Sequence, residues 1–449
     1  MRVVVVEESQ LGLEHNNDFN QVVPDAVQGL TSWIDINLTR EEFVALKSAF
    51  PRHIFTTGED NSIYYHPDTK DGGIAHMWDW LMVPHVLNTH RDLFEVKFVP
   101  FSDFLAAMLD PQASAATRDV WTLVNHAELV VGGVDFTGDY TSLLPPHHVA
   151  TYMGNLITIM DYTVVWPDPS EGLVYGGKAA LIKNLDAIAK APRPRTSPIV
   201  FGYSYVDGKV IKRGHSGWGE HVCTDVNKNP VDRWGSLWEK PNATAPPLAS
   251  RAWLMQDYVD TLRILGEIRC YFIHGTHQYT VHTDTSLMIG YANDDTSSQS
   301  VGGVMPLHML QKSLEDQEKT KERPSYGWVN PKRHADHADR GLEELKEFAR
   351  KTYEDLVKRE EASSPTRSSD LTAFTRIDIG VMRQPGGAFN YVVNEVERSW
   401  GVTMFGVMDT HIAIVALTEF TLRLPEWVRR KHQRSLTAST LDVWDPLYA

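Results

Sequence analysis

Two neighbouring segments late in the chain place charged residues two positions apart. Arg376 and Asp378 have this spacing in one apolar stretch, and Glu395 and Glu397 have it in the next. Because side chains alternate along a strand, each pair shares one face. Three carboxylates on adjacent strands repel one another, and Mg²⁺ stabilises such a cluster by binding carboxylate and phosphate oxygens. The spacing therefore predicts a magnesium site, with an ion-paired, solvent-facing strand pair as the alternative.

A second candidate is a lysine that leads directly into a glycine-bearing loop, Lys212-Arg-Gly-His-Ser-Gly-Trp-Gly219. Glycines let backbone N–H groups approach phosphate oxygens closely, and lysine supplies a neutralising charge. The pattern predicts a phosphate-binding loop, and a hairpin tip without a ligand is the alternative.

Two sharper motifs fit less well. Residues 172–178 have the spacing of a P-loop, but Ala179 stands where Ser or Thr should meet Mg²⁺. Residues 214–217 resemble a nucleophile elbow, but Trp218 replaces its second glycine. A P-loop nucleoside triphosphatase and a serine hydrolase are therefore disfavoured.

A third candidate is the pair of predicted strands around residues 253–259 and 267–274. A strand edge before a turn can offer backbone groups to an adenine, which points to Gln256–Val259. Glu267 and Arg269 share a face and are placed to reach a ribose or a phosphate. An ordinary packed strand pair is the alternative.

Composition limits the class of protein. The 449 residues are 42% hydrophobic and carry a formal charge of -15, which disfavours nucleic acid and anionic membranes as partners. No apolar stretch approaches the ~20 residues of a membrane-spanning helix. The two cysteines, in so long a chain, indicate reduced thiols and a cytoplasmic location.

Apolar periodicity predicts the elements that position these residues. Short strands alternate with amphipathic helices up to residue ~150, which predicts an α/β domain with a partly parallel sheet. Further on, an Asp-Gly turn at 207–208 predicts a hairpin. Apolar residues at helical spacing predict a helix over Asp339–Lys358. A Gly-Gly turn separates the predicted strands Phe374–Met382 and Tyr391–Glu397.

Taken in order, these segments resemble the ATP-grasp superfamily over residues ~150–410. The resemblance rests on five successive pieces: the helix with Lys178, the Arg195-Thr-Ser-Pro198 segment, the strand and loop from Lys212, the Gln256-Asp-Tyr-Val259 strand with Gly266-Glu-Ile-Arg269, and Arg376-Ile-Asp378 followed by Asn394-Glu-Val-Glu397. It implies an α/β (α+β) fold in which two α+β lobes clamp ATP.

The resemblance, together with the patterns along the chain, also implies domain limits. An N-terminal α/β domain is expected over 1–150 and an ATP-grasp domain over 151–420, with a small lid lobe at about 195–260 and a larger lobe at about 261–420. Residues 421–449 are expected to form a C-terminal tail. A homodimer is the default expectation for oligomeric state.

The roles that the resemblance implies are specific to residues of this chain. Lys178 and Lys212 would contact ATP phosphates, and Arg269 and Arg376 would stabilise the transferred phosphoryl group. Mg²⁺, or Mn²⁺ in its place, would be held by Asp378, Glu395 and Glu397. The closing loop would include Gly214, Ser216, Gly217, Trp218 and Gly219, and the adenine and ribose would meet Gln256, Asp257, Tyr258, Val259 and Glu267.

One departure from the family concerns the last metal strand, which commonly runs Glu-x-Asn. Glu397 stands at the Asn position here. Asn394 can replace it only if the strand is irregular, because regular alternation puts Asn394 on the opposite face.

The reaction that the resemblance implies is activation of a carboxylate as an acyl phosphate for an amine or thiol, with release of ADP and phosphate. A kinase that phosphorylates a small molecule on the same fold, and a non-catalytic ATP-binding protein, are the alternatives.

Overall fold

The structure is a computed structural model of the chain. It describes residues 1–6, 33–39, 41–42, 44–45, 63–67, 72–78, 82–132, 146–168, 178–198, 208–213, 222–223, 253–283, 298–320, 328–329, 335–363, 368–398 and 410–437. Within these ranges the strands form one parallel and three antiparallel sheets, accompanied by helices. The predicted mixed α/β (α+β) class is confirmed. No helix in the same ranges is long and apolar enough to cross a membrane.

The elements are numbered in chain order. The strands are β1 Arg2–Val6, β2 Trp33–Thr39, β3 Ile63–Pro67, β4 Gly72–Trp78, β5 Glu95–Val99, β6 Leu129–Val131, β7 Val164–Trp166, β8 Thr196–Pro198, β9 Lys209–Arg213, β10 Val222–Cys223, β11 Trp253–Asp257, β12 Glu267–Ile273, β13 Thr276–Thr283, β14 Ser298–Ser300, β15 Phe374–Arg383 and β16 Phe389–Arg398. The helices are α1 Met82–Thr89, α2 Phe101–Leu109, α3 Ala115–Asn125, α4 Pro146–Met160, α5 Lys178–Ile188, α6 Asp260–Leu265, α7 Leu307–Thr320, α8 Ala335–Ser363, α9 Thr410–Leu422 and α10 Leu424–Thr437.

The chain divides into two compact units. Unit 1 contains the described residues of Met1–Gly172 and Ser399–Ser439, and unit 2 contains those of Leu173–Arg398. These limits differ from the domains expected from sequence, because the described residues 151–168 and 410–420 belong to unit 1. Strand β7 explains the first difference, since it pairs with β6 and so extends the sheet of unit 1.

A four-stranded parallel sheet, in the order β5-β1-β6-β7, is the centre of unit 1. Strand β1 lies inside it, and Val3–Val6 are all buried. This explains the unbroken run of valines, because a strand that is covered on both faces does not alternate with polar residues. A second, antiparallel sheet of unit 1 has the order β2-β4-β3.

The expected C-terminal tail contains a packed helix. Residues 424–437 form α10, in which Leu424, Trp427 and Val428 are buried. Their spacing of three and four residues gives one apolar face at helical periodicity. Lys431 on the same helix lies 3.4 Å from the Asp168 carboxylate, and both side chains are buried. The segment is therefore part of the core of unit 1.

Unit 2 contains two antiparallel sheets, in the orders β10-β9-β11-β8 and β14-β13-β12-β15-β16. Helix α8 packs on the second sheet through buried residues such as Leu345 and Tyr353, and the Tyr353 ring stacks on Phe272 of β12 at 4.5 Å between centroids. One face of β12, β15 and β16 belongs to this core, through residues such as Ile268, Ile377 and Val396. Their polar neighbours along each strand therefore lie on the opposite face.

Candidate functional site

Three adjacent strands of unit 2 bring charged residues to one face. Arg269 of β12 is the register partner of Asp378 on β15, which is in turn the partner of Glu395 on β16. Arg376 is the partner of Glu397 in the same ladder. The predicted pairing of the last two strands is confirmed, and the described structure adds β12 beside them.

A buried ion network connects these residues. Arg376 donates two hydrogen bonds to Asp378, from Nε to Oδ1 and from Nη2 to Oδ2, both at 2.7 Å. The second carboxylate oxygen also lies 4.0 Å from Arg269 Nε, and Arg269 Nη2 lies 2.9 Å from Glu267 Oε1. Asp378 therefore joins two guanidinium groups, and Glu267 belongs to this network.

Lys178 and Lys212 reach the same face from other elements. Lys178, the first residue of α5, places Nζ 2.8 Å from Glu395 Oε1. Lys212 on β9 places Nζ 3.5 Å from the side-chain oxygen of Asn394. Burial lowers the pKa of Lys212, and the nearby cations Lys178 and Arg193 contribute to that shift. Residues that are more than 200 positions apart thus form one charged cluster.

A β-bulge at Asn394 corrects the expectation from strand alternation. The register steps from Asp378↔Glu395 to Ile379↔Val393, so Asn394 is an extra residue in β16. Val393 and Val396 consequently both pack in the core, while Asn394 Nδ2 donates to Glu267 Oε2 at 3.0 Å. A bulge bends a strand and re-aims side chains. Asn394 therefore lies on the same face as Glu395.

The pKa values of the two glutamates of β16 are shifted in opposite directions. Burial opposes ionisation of Glu395, but Lys178 and Lys212 outweigh it and lower the pKa of this carboxyl to about 2. Burial and repulsion from Glu395 raise the pKa of Glu397 to about 7. Burial also raises the pKa of Asp378, against the attraction of Arg376. The environment of Glu397 thus favours its protonated form, whereas that of Glu395 favours its carboxylate.

The predicted metal site is not preassembled. Among the described residues, no three His, Cys, Asp or Glu side chains stand together as a group that could hold a metal ion. Glu395 is engaged by Lys178, and Asp378 by Arg376. The donor set nevertheless has the hard oxygen chemistry that Mg²⁺ requires. Metal binding by Asp378, Glu395 and Glu397 stays a prediction, and these lysine and arginine contacts would have to rearrange.

The predicted adenine strand has no free edge at its centre. Strand β11 lies between β9 and β8, the Asp257 N–H donates to Arg195 O, and the Tyr258 N–H donates to Gly208 O. The Asp257 carboxylate is paired with Lys209. The N–H groups of Asp257 and Tyr258 are therefore already paired within unit 2, and contact of Gln256–Val259 with an adenine stays a prediction.

Some predicted residues cannot be placed, and one functional candidate was missed. Gly214, Ser216, Gly217, Trp218 and Gly219 lie outside the described residues. Arg193, for which the sequence pattern predicted no role, lies at the edge of the cluster and donates from Nη1 to the Val393 carbonyl at 2.9 Å. Only its position in a proline-rich segment marked it in the sequence.

Comparison with known proteins adds little to this geometry. No family model matches the sequence, and no curated protein matches it. Among solved structures, the crystal structure of D-cycloserine synthetase DcsG is similar, with 14% identity and a TM-score of 0.43, over 78% of this chain and 95% of that one. A likeness of this extent carries no argument about activity.

Proposed function

We propose that unit 2 binds ATP with magnesium over the charged face of β12, β15 and β16, and that the protein is an ATP-dependent ligase. The observation that carries this proposal is that Lys178 and Lys212, from two different elements, reach Glu395 and Asn394 of β16 on the face that also carries Asp378 of β15. Ammonium groups that can donate hydrogen bonds to phosphate oxygens then lie beside oxygen ligands that suit a divalent ion.

Each residue has a defined part in the proposed site. Lys178 and Lys212 neutralise phosphate oxygens, and Lys178 leaves Glu395 when it does so. Asp378, Glu395 and Glu397 hold Mg²⁺, which supplies charge stabilisation for phosphoryl transfer. Arg376 and Arg269 face Asp378 from two strands and stabilise the charge that develops on the transferred group.

The proposed reaction has two steps. An oxygen of the substrate carboxylate attacks the γ-phosphorus, the bond to the bridging oxygen breaks, and ADP leaves with that electron pair. An amine or thiol then attacks the acyl carbon, inorganic phosphate leaves, and the nucleophile loses its proton. The site's residues position and neutralise the reacting groups, and none becomes a covalent nucleophile.

A non-catalytic ATP-binding protein is the second candidate, and internal pairing favours it. Glu395 has Lys178, Asp378 has Arg376, and Glu267 has Arg269. A face that neutralises its own charges can bind a nucleotide without turning it over. Turnover, rather than binding, distinguishes the two candidates.

The test begins with the melting temperature in the presence of ATP and Mg²⁺, of ATP and EDTA, and of neither. Ligand at ~100 times its dissociation constant should stabilise the protein by about 2.7 kcal/mol. Release of ADP and phosphate is then measured with panels of carboxylic acids and amines or thiols. Magnesium-dependent stabilisation with acid-dependent ADP release supports the ligase. Stabilisation without turnover favours the binding protein, and AMP with pyrophosphate contradicts the proposed chemistry.

A further inference from the structure

Arg193 is a buried guanidinium at the margin of the charged face. It lies between α5 and β8, in the run Ala191-Pro-Arg-Pro-Arg195. Its Nε donates to Asp186 at 2.8 Å and its Nη1 donates to the Val393 carbonyl at 2.9 Å. The side chain is only 7% exposed. Its Nη2 is buried and has no hydrogen-bond partner among the described residues.

The position of Arg193 connects it to the phosphate-binding lysines. Val393, whose carbonyl it contacts, directly precedes the bulged Asn394, and the Asn394 side-chain oxygen faces Lys212 Nζ at 3.5 Å. Lys212 thus meets an amide oxygen there, while the Glu395 carboxylate is bonded to Lys178. Burial is the main cause of the lowered pKa of Lys212, and repulsion from Lys178 and Arg193 adds to it.

An unpaired, buried donor on a charged group is costly, so native structures usually give such a donor a partner. An anion next to Lys212 would supply that partner and also offset the positive charge. We propose that Arg193 is a nucleotide-binding residue, and that its Nη2 donates to a phosphate oxygen of ATP held by Lys212. This inference rests on the proposed function and adds a contact that the sequence did not predict. The competing role for Arg193 is purely structural. In that role, called the clamp below, Arg193 only holds β16 through the Val393 carbonyl and contacts no ligand.

The experiment compares Arg193→Gln and Arg193→Lys with wild type, and uses Arg195→Gln as the matched control. Arg195 is exposed and lies two residues away, so its replacement makes the same chemical change outside the cluster. Isothermal titration calorimetry with ATP and Mg²⁺, and with adenosine, measures affinity. The melting temperature without nucleotide measures the structural effect. Arg193→Lys keeps a charge near the Val393 carbonyl and guards against a variant that simply fails to fold.

Arg193→Gln is expected to weaken ATP binding by about tenfold or more, as for a lost charge-assisted hydrogen bond, with adenosine affinity unchanged. Arg193→Lys should also weaken ATP binding, because it lacks the second donor, and Arg195→Gln should not. Equal losses for ATP and adenosine, or a lower melting temperature with unchanged ATP affinity, would assign Arg193 to the clamp and overturn the inference. Wild type that binds no ATP would overturn the proposed function together with this inference, whereas normal ATP binding by the Arg193 variants would overturn the inference alone.

Discussion

Glu395→Gln tests the site at a position where stability and chemistry can be separated. The Lys178–Glu395 pair has an N···O distance of 2.8 Å, with side chains 14% and 27% exposed. Exposed pairs contribute about 0–1 kcal/mol, while breaking a fully buried pair costs about 3–5 kcal/mol. For this half-buried pair we expect the free energy of unfolding to fall by about 1–2 kcal/mol. The melting temperature should then fall by about 2–8 °C.

The effect of Glu395→Gln on turnover should be much larger. Loss of one carboxylate from the proposed metal set should lower kcat by about a hundredfold or more, which corresponds to about 2.7 kcal/mol of activation free energy. The assay measures initial rates of ADP release at saturating ATP and Mg²⁺, beside thermal and urea unfolding. The wild-type protein must first show ADP release with one of the carboxylic acids tested, and that acid is then the substrate in every assay.

The control for Glu395→Gln is Glu347→Gln. Glu347 is half exposed on α8 and lies 2.8 Å from Arg350, so the same chemical change removes a surface ion pair. Both stability and turnover of this variant should stay near wild type. If Glu395→Gln retains turnover within about threefold of the control, Glu395 does not hold the metal and the assignment of the site is refuted.

Three further variants probe the same cluster. Asp378→Asn should lower the free energy of unfolding by about 3–5 kcal/mol in urea denaturation, because it leaves Arg376 buried without its carboxylate; a loss below about 1 kcal/mol contradicts the network. Lys212→Met should leave the ligand-free protein at least as stable, since it removes a buried cation, and should weaken ATP affinity by about tenfold or more in calorimetry; unchanged affinity excludes the phosphate role. Glu397 has its pKa raised from 4.5 to about 7, so the folded state binds more protons between these values, and the free energy of unfolding should decrease as pH rises through this window. Glu397→Gln should flatten that slope in denaturation curves at several pH values, and a slope identical to wild type would show that Glu397 ionises normally.

Local pattern was sufficient for the strands that carry the site. In β15 the apolar residues Ile377 and Ile379 enter the core, so Arg376 and Asp378 had to share the other face. The predicted strands at 374–382 and 391–397 correspond to β15 and β16. Side-chain alternation and the Gly-Gly turn both lie within about 25 residues of sequence. The strand pair and its charged face could therefore be predicted from this segment alone.

The bulge at Asn394 shows where local pattern fails. A strict alternation places Asn394 with the apolar residues, but the extra residue in β16 turns it towards Glu267. A bulge is selected by the pairing of two strands and by the packing of Val393 and Val396 on either side of it. Neither condition is visible in the sequence of β16 alone.

The sequence by itself determined the two-residue spacing of the charges and the faces of the regular strands. Only the tertiary structure decided that β12 pairs with β15 across more than 100 residues, that β11 lies inside its sheet, and that Arg193 reaches Val393. The physical reason is that side-chain alternation is a property of one strand, whereas strand order, register and the burial of a distant guanidinium depend on the packing of the whole unit.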